Sequence, residues 1–211
     1  MASEPRIRAG SGPLLGRVAL LLAGSLMSTV CYGITIRARL GLGPLFVLQD
    51  GIAQRMGIAI GTSVMVTGFV LVFVAVALRS WPGPGTLALP VLGDVTLDSL
   101  LPHLPILHGW PLRLAAVFVA TWMMALAGAL MIRASVGVAA YDAVMLGLRR
   151  VFGRPLGPTR LAMEMTALIA GWVLGGSVGV GTVITGLLIG PGIQFWLRVT
   201  GSPTKALAHA T

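Results

Sequence analysis

Ionisable side chains are rare in this chain: 10% of its 211 residues are charged and 56% are hydrophobic. Where one interrupts an apolar run, its cost must be met by a partner, a cavity or a function. Arg37 and Arg133 each close a long apolar run and stand where a glycine-rich break begins. Such an arginine either snorkels to lipid headgroups or joins the freed backbone amides of a broken helix in holding an anion. Asp142 follows the second break with Tyr141 beside it. That pair suits a cap and dipole partner of a helix start, and equally a ligand or proton site with a phenolic donor at hand. Asp50 lies deeper in the segment after the first break, where it pairs with Arg37, Arg39 or Arg55 or faces a solute. Asp94 and Asp98 are one helical turn apart and share a face. Either they form two close carboxylates able to share a proton, or Asp98 marks the end of its segment before Pro102.

Other constellations point to structure. Glu164 follows Arg160 by four residues, the spacing of an intrahelical ion pair. Gly171 with Gly175, and Gly186 with Gly190, have the small-xxx-small spacing of closely packed membrane helices. His103, His108 and His209 lack metal-ligand spacing. Neither a phosphate-binding glycine-lysine loop nor a nucleophile elbow occurs. Catalysis, cofactors and metals are therefore not expected. The single cysteine, Cys31, forms no intrachain disulfide and reads as a small packing residue.

The elements that position these groups follow from composition. So few charges cannot clothe a water-facing globule. Residues 18–36, 58–78 and 114–132 hold no charged side chain, and each is close to the ~20 residues that span hydrocarbon as a helix. Outer-membrane strands would alternate over ~10 residues instead. The fold class is an all-α polytopic membrane protein. Its net charge of +9 comes from 14 arginines and one lysine, scattered at segment ends as membrane topology distributes them. A nucleic-acid surface would cluster them, so none is expected. The short polar N-terminus leads into an apolar run too long for a signal peptide, which is retained as the first span.

The chain also carries a copy of itself. At an offset of 96, Ile36, Arg37 and Ala38 fall on Ile132, Arg133 and Ala134, and Gly83, Gly85 and Thr86 fall on Gly179, Gly181 and Thr182. Over positions 36–86 this register gives 11 identities without a gap. The expected organisation is a tail (1–13), a repeat (14–101), a proline-rich linker (102–111), a second repeat (112–198) and a tail (199–211), with the repeats related by a pseudo-two-fold axis. Each repeat parses into four segments: 14–36, 45–56, a third ending near 79 and 86–101, then 112–132, 140–152, a third ending near 176 and 182–198. Thr62, Ser63 and Thr159 are N-cap types at the start of the third segments.

The second, short segment decides the topology. If it crosses, the repeats are parallel; if it is re-entrant, they are inverted. With a cytoplasmic N-terminus both arrangements place 11 basic residues inside and 4 outside. Shielding of a polar short helix within a bundle favours crossing.

The motifs Ile36 to Pro44, Gln49-Asp50-Gly51, Gly57 to Thr62, Pro82 to Thr86 and Gly190 to Gln194 resemble the YczE/YyaS/YitT family of bacterial membrane proteins, over roughly 14–198. In that family Gly-Pro-Trp-Asp is expected after the break. The first copy reads Gly43-Pro44-Leu45-Phe46 and lacks the acid; the second retains it as Asp142. The resemblance implies a multi-pass protein of the bacterial inner membrane, and Arg6, Arg8 and Arg17 before the first span with Arg198 and Lys205 after the last place both termini in the cytoplasm. The function expected is a small carrier whose polar site lies at the breaks between the repeats, formed by Arg37, Arg133, Tyr141, Asp142, Asp50 and Asp98. Its expected partners are the lipid bilayer and a small solute, anionic if the arginines recognise it. The competing class is a non-transporting accessory protein that binds a membrane partner or a second copy of itself. A polar cavity between the copies favours the carrier, and a dry interior favours the accessory protein.

Overall fold

A computed structural model of the chain describes residues 13–81, 83–134, 139–153 and 156–200. It contains α1 (Leu14–Ala38), α2 (Pro44–Met56), α3 (Ile60–Ala77), α4 (Pro84–Leu100), a 3-10 turn (Leu101–His103), α5 (Trp110–Ala134), α6 (Ala140–Phe152), α7 (Leu156–Val173) and α8 (Val180–Val199). Four of these helices are long and apolar enough to cross a membrane: α1, α3, α5 and α8. Each helix of the second half begins 96 residues after its counterpart in the first, at Leu14 and Trp110, Pro44 and Ala140, Ile60 and Leu156, Pro84 and Val180. The linker is shorter than expected, because α5 already begins at Trp110.

Glycine and proline set the boundaries. Pro44 and Pro84 occupy first helical positions, where the missing N–H costs nothing. Gly57 and Gly153 close α2 and α6 in the left-handed conformation. The N-cap expectation at the third segments does not hold in either copy: α7 starts at Leu156, so Thr159 falls inside it. α3 starts at Ile60, so Thr62 and Ser63 fall inside its first turn, and Ser63 Oγ donates to Gln49 O at 2.6 Å. The cap comes from another helix: Asp98 Oδ1 of α4 accepts from Gly61 N at 2.8 Å.

Helix directions follow from a few contacts. Arg17 Nε donates to Ala134 O at 2.8 Å, Gly24 packs against Ala127, and Arg113 Nε donates to Ala38 O. α1 and α5 therefore run antiparallel along their whole length. α1 ends beside the end of α4, since Arg37 donates to Leu101 O, and beside the start of α3, since Gly61 meets Asp98. The chain thus arrives at one end of the bundle with α1 and leaves from that same end with α3. α2 cannot cross between them. It dips instead: Phe46 stacks on Tyr32 with ring centroids 3.9 Å apart, well inside α1, and α2 climbs back to the end it came from. The expectation of a crossing short helix is corrected here. Charge counting could not have decided it, because both arrangements gave the same tally.

The contacts recur with the same spacing of 96. Arg17 to Ala134 matches Arg113 to Ala38. Leu78 against Gly147 of α6 matches Leu174 against Gly51 of α2. Ala75 packed on Ala143 and Val144 matches Gly171 packed on Val47 and Leu48. Among the described residues the packing of α3 on α4 has no counterpart. α3 lies along α4, with Gly68 against Pro90 and Gly93 against Val64, whereas nothing stands within 4 Å of a Cβ placed on Gly186 or Gly190 of α8. The close-packing expectation therefore holds for Gly171, fails for Gly175, which lies past the end of α7 at φ +97, and fails for Gly186 and Gly190, because α7 does not pack along α8.

The matched arginines give a direct test. Each guanidinium tethers the carbonyl end of the opposite long helix, and a hydrogen bond with a charged donor contributes about 1.5–3 kcal/mol. Arg17→Met and Arg113→Met are expected to lower stability by similar amounts. The losses should add in the double variant, since the sites lie at opposite ends of α1. Unfolding in detergent checks this, and a loss confined to one variant would contradict the shared geometry.

Candidate functional site

The first break is filled by protein. Leu42 N donates to Ser177 O at 3.1 Å and Gly181 N donates to Leu40 O at 2.7 Å, so the connection from α7 to α8 satisfies its backbone. Gly41, at φ +98, lies where a side chain would collide with the amide of Gly179 and with Thr182 Oγ1. Asp50 is drawn into the same seam, its Oδ2 accepting from Ser177 N at 2.7 Å and Gln54 Nε2 at 2.9 Å. These partners replace the arginine pair expected from sequence. Arg37 and Asp98 serve helix ends, as described above. Arg133 is exposed at the opposite end of the bundle. Asp94's side chain and residues 135–138 of the second break lie outside the described residues.

The expected site residues therefore separate. Arg37, Asp50 and Asp98 gather at one end as structural ties. Tyr141 and Asp142 stand on the other side of the bundle, at the start of α6, and Arg133 precedes them. The cavity that Tyr141 lines takes in none of Arg37, Asp50 and Asp98. Along the α1–α5 contact the interior is close-packed, with Ala120, Ala125, Ala127 and Ala129 buried and Gly24 against Ala127 and Met131.

A different constellation forms at α6 and α7. α6 begins after Ala139 with no side-chain cap, so Asp142 sits in its first turn, where the helix dipole favours an acid. α7 presents Arg160 and Glu164 one turn apart, joined Nε to Oε1 at 3.0 Å. Arg160 lies within electrostatic reach of Asp142. Tyr141 lies within reach of the same groups and shares the cavity wall with Thr159, Ala162 and Met163 of α7. Its hydroxyl oxygen is buried without a hydrogen-bond partner. Beside this cluster opens a cavity of about 670 Å³, lined by Leu45, Leu71, Tyr141, Leu148, Met163 and Thr166 among others.

Sequence reasoning read Arg160 and Glu164 as a local pair. The missed signal is their absence from the other copy: 96 residues earlier stand Val64 and Gly68, and Asp142 corresponds to Phe46. All three ionisable groups belong to the second half alone. There they share one neighbourhood, while the first half fills the equivalent space with Phe46 stacked on Tyr32.

Comparison with known proteins agrees with this geometry in extent. Residues 15–198 match a family of unknown function, DUF6198. The chain is 26% identical over 186 residues to the "Uncharacterized membrane protein YczE" of Bacillus subtilis, covering 87% of this chain and 86% of the relative. It is 25% identical over 186 residues to an "Uncharacterized protein" of Haemophilus influenzae, covering 86% and 84%. No solved structure matches.

Proposed function

The chain belongs to the family of unknown function DUF6198, and we propose that this member is an inverted-repeat membrane carrier with its working site at Tyr141, Asp142, Arg160 and Glu164. The observation that carries the reading is the set of matched contacts from which, among the described residues, a counterpart of the α3–α4 packing is missing. A two-fold operation that exchanges antiparallel α1 and α5 has its axis across the helices, so the copies are inverted. Inverted repeats recur in carriers because exchanging the conformations of the two copies moves an opening from one membrane face to the other. Here α3 is closed on α4 while α7 stands away from α8. The exchanged state closes α7 on α8 and opens α3 from α4. The close-packed contact between α1 and α5 favours the alternative, an accessory protein that binds a partner; such a protein needs one packing, so trapping α7 against α8 by a disulfide separates the two readings.

In this reading α1, α3, α4, α5, α7 and α8 cross the membrane, and α2 and α6 enter from opposite faces and return. Both termini lie on the face that collects 11 of the 15 basic residues, which is the cytoplasmic face of a bacterial inner membrane. In a Cys31→Ser background, His108→Cys is expected to react with an impermeant maleimide on intact spheroplasts. Ser202→Cys should react only after lysis. Labelling with the opposite sidedness would invert the orientation and remove the arginine argument.

A further inference from the structure

One face of α7 is trimmed. Ala162, Thr166, Ala167 and Ala170 stand 96 residues after Val66, Val70, Leu71 and Val74 of α3, and their spacing keeps them on one side of the helix. All four line the cavity of about 670 Å³, whose other walls include Leu48 of α2, Leu71 of α3, and Leu148 and Phe152 of α6. None of these side chains ionises. The Thr166 hydroxyl donates to Ala162 O at 2.8 Å within its own helix. The Tyr141 oxygen is buried, so its ring rather than its hydroxyl forms the wall. A hydrophilic solute would lose its water there and find almost nothing to replace it. A hydrocarbon loses nothing.

The groove also has a direction and an opening. α2 starts deep and climbs to the end it came from, and α6 repeats it 96 residues later. Phe152 and Pro158, at the end of α6 and the start of α7, therefore mark the end near the bundle surface, and Tyr141 and Leu45 the deep end. From Pro158 to Ala170 the axis of α7 rises about 18 Å, against about 15 Å for half of the hydrocarbon core. Phe152, Pro158, Ala162 and Thr166 are exposed along it, continuous with Leu161 and Ile169 on the outer surface of α7, each 59% exposed. We propose that this groove seats one acyl chain of a bilayer phospholipid, entering sideways from the leaflet at the Phe152 end. The ester end lies by Pro158 and the methyl end between Ala170 and Leu48. The proposal rests on the membrane crossing of α7 in the carrier reading, not on the exchange of packings. It puts a lipid chain, as this groove's ligand, in place of the small anionic solute expected from the arginines.

Two phosphatidylcholines test it, each with a diazirine in one chain, near the ester in the first and near the methyl end in the second. Each is built into nanodiscs with the full chain. After photolysis the first is expected to label α7 around Pro158 and Ala162, and the second around Ala167 and Ala170 with Leu48 of α2. Ala162→Phe, at an exposed wall position, should lower that labelling about tenfold, the factor lost when roughly two buried methylenes are displaced. Thr166→Phe fills the groove one turn further on and gives the same readout should the first variant fold poorly. Leu161→Phe, on the outer surface, should change nothing. Labelling that neither groove variant lowers, or that falls at one depth with both probes, means an annular lipid only and overturns the site. If Leu161 and Ile169 are labelled and the groove is not, the groove proposal fails alone. If all of α7 escapes labelling, its membrane crossing fails as well, so the two failures are told apart.

Discussion

Gly41→Ala is expected to unfold a large fraction of the protein under conditions where Gly57→Ala is tolerated. Both glycines have positive φ, +98 and +65, and an L-residue held in that region costs about 1–2 kcal/mol. They differ in what surrounds them. Nothing lies within 4 Å of a Cβ built on Gly57, whereas on Gly41 it would fall on the Gly179 backbone. Overpacking of that kind costs about 1–3 kcal/mol more, and neither neighbour can yield as the end of a flexible side chain could. The sum, about 2–5 kcal/mol, is a large part of the ~5–15 kcal/mol by which a protein is stable. Gly186→Ala completes the series: its φ is ordinary and its surroundings open, so it should gain up to about 1 kcal/mol of helix propensity. Thermal unfolding of the three variants in one detergent gives the order. Should Gly41→Ala melt no lower than Gly57→Ala, the first break is not sealed by the α7–α8 connection and regains its standing as a binding site.

That seam also marks where sequence stops being informative. Helix starts were legible because proline and glycine act locally: Pro44, Gly57, Pro84 and Gly153 mark boundaries wherever the chain goes next. The spacing of 96 was legible in Ile36-Arg37-Ala38, and it extends to Arg17 and Arg113, whose matched tethers become recognisable only once α1 and α5 are seen side by side. What glycines pack against is decided elsewhere in the chain. Gly41 admits Gly179, so a run that reads as an exposed, amide-rich break is a closed backbone contact. Asp98 reads as half of a carboxylate pair or as a segment end because its partner, Gly61 N, is 37 residues away on another helix. Tyr141 and Asp142 were visible as candidates. Arg160 and Glu164 were not, because a local ion pair explained them, and only the position of α6 brings the two pairs together.

The largest effect is expected from a cysteine pair that this structure keeps apart. Glu164→Cys with Gly186→Cys, in a Cys31→Ser background, should form a disulfide in native membranes under mild oxidation. Forming one requires Cα atoms within about 7 Å, yet nothing approaches the Gly186 Cβ position within 4 Å. The two positions are the mates of Gly68 and Pro90, which touch across α3 and α4. The sizes are reciprocal: a glycine on α3 accepts a proline on α4, and a glycine on α8 has room for the glutamate of α7. If the copies exchange packings, Glu164 comes to lie over Gly186, and a state populated at even 0.1–10% is gathered by an irreversible bond. The pair Gly68→Cys with Pro90→Cys, formed from the arrangement seen here, is the positive control. Both pairs should crosslink over half of the molecules, read by thiol blocking and mass, because each traps one of two interconverting states. A control pair on the outward faces of the same helices, Leu161→Cys with Leu187→Cys, should remain reduced. If the α3–α4 pair crosslinks while the α7–α8 pair stays reduced, the protein holds one packing, the exchange that a carrier needs is absent, and the accessory reading takes its place.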